Sequence, residues 1–100
     1  MQFELDAARD TYYVVRELVL HHAGGANERS LATVRKLCRA AAGAVADREC
    51  DEALSAVEQH AAQYFSGRPC TDWTRRQLLR ELEWFRARLY AVEAIRPSSS

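Results

Sequence analysis

Apolar residues in this chain recur at steps of three and four, and nowhere alternate singly with polar ones. That period belongs to amphipathic helices and not to half-buried strands. Four segments carry it. In the first, Leu5, Ala8, Tyr12, Val15, Val19 and His22 fall on one stripe, with Leu18 beside it, predicting a helix over Leu5–His22. Ala23-Gly24-Gly25 ends it, because paired glycines break helices and favour C-cap geometry. Asn27 is an N-cap residue for a second helix whose stripe is Leu31, Val34, Cys38, Ala41 and Val45, flanked by Leu37. Gly43 is a point where that helix is expected to bend or end.

Asp47 or Asp51 caps a third helix, lined by Cys50, Leu54, Val57, Ala61, Tyr64 and Phe65 and closed by Gly67 and Pro69. Thr71 or Asp72 caps a fourth, which runs to about Ile95 on the stripe Leu78, Leu82, Phe85, Leu89 and Val92. Pro97 stops it, and residues 98–100 form a frayed tail. The expectation is all-α: one compact domain over residues 1–97, a bundle of about four helices.

At 100 residues the chain is long enough to bury a core without disulfides or a metal. Net charge is zero, which disfavours direct binding to nucleic acid or to an anionic membrane. Charge sign alternates by segment, however: acidic, basic, acidic, basic. In an up-down bundle that places opposite signs on neighbouring helices and favours the correct neighbours. The three cysteines, Cys38, Cys50 and Cys70, are odd in number and widely spaced, as expected of free thiols in a reducing cytoplasm. The N-terminus MQFELDAARD lacks the apolar segment of a signal peptide, and no run is apolar enough to cross a membrane.

Motifs for chemistry are missing. His21, His22 and His60 do not combine with the cysteines into CxxC, HxxxH or HExxH spacing, so no metal or other cofactor is expected. Cys70 precedes the fourth helix, where a thiol pKa can fall, but no base accompanies it in sequence. The chain therefore reads as non-enzymatic.

One feature is left over. Trp73 and Trp84 point away from the core stripe of the fourth helix, with Ala87 and Ala91 on or beside their line and Arg80 and Arg88 bordering it. Trp and Arg are enriched at binding hot spots, and a buried Trp hides ~150–250 Å². The plain alternative is a neighbouring helix that covers the line. A second candidate contact is acidic: Asp47, Glu49, Asp51 and Glu52, which also suit a helix N-terminus. The best reading is a contact surface for a protein or ribonucleoprotein partner, or for a second copy of the chain. The runner-up is a small DNA-binding regulator using Arg35, Lys36 and Arg39 on the second helix and Arg76 and Arg80 on the fourth. A third is a self-associating structural protein.

A small, motif-poor, all-helical chain with these two faces resembles the small phage-encoded anti-CRISPR proteins that inhibit type I surveillance complexes. The resemblance covers the whole chain in size and character and rests on no motif, so no site residue is carried over. The zero net charge departs from the strongly acidic members of that group. The resemblance implies binding to a guide-RNA protein complex and obstruction of its DNA capture, without catalysis.

Overall fold

The structure is a computed structural model and describes residues 2–21, 26–66 and 72–95, with side chains from residue 6 onward. Four helices account for nearly all of these residues: α1 Gln2–Leu20, α2 Glu28–Val45, α3 Arg48–Tyr64 and α4 Asp72–Ile95. Expectations resting on the side chain of Leu5, or on His22, Gly24, Gly25, Gly67, Pro69, Cys70, Thr71 and Pro97, lie outside the described residues. α1 starts three residues before the expected Leu5 and ends two before His22. α2 runs through Gly43 to Val45 without ending there. One glycine costs only ~1 kcal/mol in a helix, which packing on either side outweighs.

The caps explain the helix starts. Asn27 accepts the Ser30 amide at 3.0 Å, and Asp47 accepts the Cys50 amide at 3.1 Å, each satisfying one orphan donor of a first turn. Between α2 and α3 only Ala46 and Asp47 intervene. Ala46 makes the turn in the left-handed region, at φ 52° and ψ 46°, and its N–H bonds back to the Ala42 carbonyl at 3.1 Å.

The helices run up, down, up and down. The Asn27 amide at the start of α2 donates to the Phe65 carbonyl just past the end of α3, 3.0 Å away. Asp47 at the start of α3 meets Arg88 near the end of α4. Arg9 near the start of α1 pairs with Glu93 near the end of α4. Each helix packs on its sequence neighbours, and α4 returns to α1, so the helices form a ring with α1 opposite α3 and α2 opposite α4.

The expected stripes fill the middle of that ring. Val15, Val19, Val34, Val45, Val57, Leu78 and Phe85 have no exposed surface. Burying each such side chain stabilises the fold by ~1.5–3 kcal/mol. Leu31 sits at the edge, packed on the core but only partly buried. Two polar groups inside are bonded across or along the ring: Thr11 Oγ1 donates to the Ala7 carbonyl at 3.1 Å, and the Tyr64 hydroxyl donates to the Val19 carbonyl at 3.3 Å. Arg75 reaches from α4 to the Leu20 carbonyl at 3.3 Å, satisfying an orphan acceptor at the end of α1.

Candidate functional site

α4 has three kinds of face. Its core face is buried. One flank faces α1: Glu83 accepts the Tyr12 hydroxyl, Arg86 lies over the Tyr12 ring at 5.6 Å, and Glu93 takes Arg9. Burial, and then the bond to Glu83, hold the Tyr12 hydroxyl's pKa above its ordinary value. The other flank faces α3, through Glu81 with His60 and Arg88 with Asp47.

Trp73 and Trp84 lie along the α3 flank and are not covered. Trp73 is 55% exposed and Trp84 44% exposed. The alternative that a helix of the same chain hides this line does not hold. Trp73 meets the His60 imidazole edge-on, with centroids 5.9 Å apart. His60 in turn places Nδ1 2.6 Å from Glu81 Oε1, in the half-buried seam between α3 and α4. This seam fixes the position of Trp73 while leaving its outer surface wet.

Arg80 stands between the two tryptophans and is exposed, as is Arg76 one turn away. Among the described residues neither has an ion-pair partner. Arg88 is different. Its Nε donates to Asp47 Oδ2 at 2.9 Å, its Nη2 donates to Asp47 Oδ1 at 3.0 Å, and Glu49 Oε2 lies 3.3 Å from Nε. The Arg88 bond holds the Asp47 carboxyl well below the usual carboxylate range, and Asp47 raises Arg88 in return. Two side chains read separately in the sequence, one basic rim and one acidic contact, thus satisfy each other within the chain.

The acidic run is divided by its helix. Glu49 lies beside Arg88 on the α4 side. Asp51 lies two turns before Glu58, which pairs with Arg39 of α2 at 3.7 Å, so Asp51 belongs to the α2 flank. Glu52 is exposed and, among the described residues, pairs with Arg48 at 3.4 Å. The four acids do not form one patch.

Sequence reasoning missed the far end of the tryptophan line. Ala94 is exposed and Ile95 is 71% exposed, so the line continues to the end of α4. The same spacing of three and four carries the line past Ala91 to Ile95. Tyr13, whose spacing in the sequence points it away from Val15 as it does Leu20, is exposed, and so are Val14 and Tyr90 on the same side.

Among the described residues no three of His, Cys, Asp and Glu come together to hold a metal. Cys38 and Cys50 are buried free thiols, both pushed up to about 12 by burial. Among the described residues no helix is long and apolar enough to cross a membrane. No protein-family model, curated protein or solved structure matches the chain.

Proposed function

We propose that this chain is a non-enzymatic, cytoplasmic protein-binding module that acts through the outer face of α4. One observation carries the reading: both tryptophans of the chain stand exposed on a single line of one helix, with Arg80, which has no ion-pair partner among the described residues, between them. Leaving two indoles in water forgoes several kcal/mol of burial at ~25 cal/mol per Å². Exposed Trp beside Arg is the composition of a binding hot spot. The resemblance to small anti-CRISPR proteins names one target class, a guide-RNA surveillance complex whose DNA capture would be blocked. It rests on size and helical character.

Ring order argues against the DNA-regulator alternative. The basic residues of α2 and those of α4 sit on diagonally opposed helices, so Arg35, Lys36 and Arg39 cannot join Arg76 and Arg80 in one phosphate-tracking surface.

The test uses the wild-type chain, Trp73→Ala and Trp84→Ala as baits in nuclease-treated bacterial lysate containing CRISPR effector complexes, read by mass spectrometry. A protein held stoichiometrically by wild type and lost from both variants supports the reading. Equal capture by all three removes it. Because the chain has no other tryptophan, protection of its fluorescence from iodide reports occupancy of this face alone.

A further inference from the structure

One imidazole joins the outer face of α4 to the inside of the bundle. His60 Nδ1 lies 2.6 Å from Glu81 Oε1, and the same ring meets Trp73 with centroids 5.9 Å apart and planes at 76°. His60 and Glu81 sit in the α3–α4 seam with 19% and 16% of their side-chain surface exposed, whereas Trp73 stands mostly in water.

The charge of this seam turns on one proton. Histidine is the side-chain type that changes charge between about pH 5 and 8. Beside a neutral ring, Glu81 is a lone carboxylate where little water reaches it, and such a charge is costly to hold out of water. Beside a protonated ring the same contact is an ion pair with a charge-assisted hydrogen bond. Both ring nitrogens then donate, and the ring is a cation next to an indole π system.

The surrounding charges leave that pair to itself. On α4, Asp72, Arg76 and Arg80 are exposed, and Arg88, two turns beyond Glu81, is taken by Asp47 and Glu49. On α3, the residues one turn from His60 are Ala56, Val57, Gln63 and Tyr64, and the Tyr64 hydroxyl donates to the Val19 carbonyl of α1. α2 meets the other flank of α3, through Arg39 and Glu58.

We propose that His60 and Glu81 form a proton-operated clasp on Trp73. Protonated His60 is held by Glu81 and fixes the indole. Loss of the proton lets Glu81 turn to water and leaves the indole free to move. The clasp rests on the reading of this face as a contact surface and supplies its regulation: binding through Trp73 is favoured on the acid side of neutrality, because a side chain already fixed loses less freedom when it is bound.

Trp84→Phe leaves Trp73 as the single tryptophan, so its fluorescence reports the clasp with no partner present. Circular dichroism at each pH checks that the bundle stays folded. As pH falls from about 8 to about 5, the emission of Trp73 should drop in one step, because an imidazolium quenches an adjacent indole. Its anisotropy should rise in the same step. In this background His60→Gln should remove both steps, with His21 and His22 still in place. Glu81→Gln should remove the rise in anisotropy, because nothing then holds the ring. Proton NMR gives a second reading that leaves His60 unchanged: the His60 ring and the Trp73 indole N–H should shift with one midpoint. A flat titration, steps that survive His60→Gln, an anisotropy rise that survives Glu81→Gln, or an indole signal that ignores His60 overturns the proposal. A captured protein lost on Trp73→Ala but held equally at about pH 6 and about pH 8 overturns the regulation and keeps the contact surface. The expected steps, beside captures that ignore both tryptophans, keep the clasp and remove the contact surface.

Discussion

Arg88 forks onto Asp47, and Asp47 is the residue that starts α3. Its Oδ2 takes both the Arg88 Nε at 2.9 Å and the Cys50 amide at 3.1 Å. One carboxylate therefore begins one helix and fastens the end of another to it. α3 cannot fray at its first turn without loosening the far end of α4, and the reverse holds.

This coupling has a pH signature. A carboxyl depressed in the folded state contributes stability in full above its ordinary pKa of ~4 and loses it as pH falls towards the depressed value. Asp47→Asn keeps the cap, since Asn caps as well as Asp, but removes the charge. Acid unfolding followed by circular dichroism should be steeper below about pH 4 in wild type than in Asp47→Asn. Superimposable acid limbs would mean that Arg88 does not hold this carboxyl in solution.

The α2–α3 turn offers a gain in stability. Ala46 sits at positive φ, where a β-carbon costs ~1–2 kcal/mol. Ala46→Gly relieves this and returns part of it as extra freedom of the unfolded chain. A net stabilisation of ~0.5–1 kcal/mol is expected from urea midpoints. A loss instead would show that the turn is not left-handed.

Phe85 and Trp84 are neighbours with opposite surroundings. Phe85 has no exposed surface, so Phe85→Ala should cost ~3–5 kcal/mol. Trp84→Ala should lower monomer stability by no more than ~1 kcal/mol. Both follow from urea titrations at unchanged slope. Comparable losses would place Trp84 in the core and end the case for an outer face.

The Asn27 cap is testable alone. Asn27→Ala should destabilise by ~1 kcal/mol, and Asn27→Ser by much less. Equal losses would assign the effect to something other than the 3.0 Å bond to the Ser30 amide.

Local physics was legible from the sequence wherever it stayed local. Asn27 and Asp47 announce their helices because a cap acts three residues away. The α3 and α4 stripes hold residue for residue because period alone sets the buried face. Arg88 with Asp47 was not legible. They stand far apart in sequence, and only the antiparallel placement of α3 and α4 brings them together. The bulk alternation of charge gives the signs of some pairs, Arg39 of α2 with Glu58 of α3 and Arg88 of α4 with Asp47, but not of others: α1, acidic overall, offers its basic Arg9 to the acidic Glu93 of α4. Ala46 gave no signal, because alanine is a poor residue for the conformation it holds. The outward tryptophans were visible as a line, but their exposure depended on where the ring of helices closed.

Cys38 and Cys50 make the bundle its own clock. One is on α2 and the other on α3, both sealed in the core. At pH 7 a thiol raised to about 12 is ionised in only ~1 molecule in 10⁵, so a thiol-reactive reagent waits for the chain to open. If the four helices open as one unit, the two cysteines are alkylated at one common rate. If α3 leaves first, Cys50 reacts ahead of Cys38, and the order of labelling reads out which seam of the ring gives way.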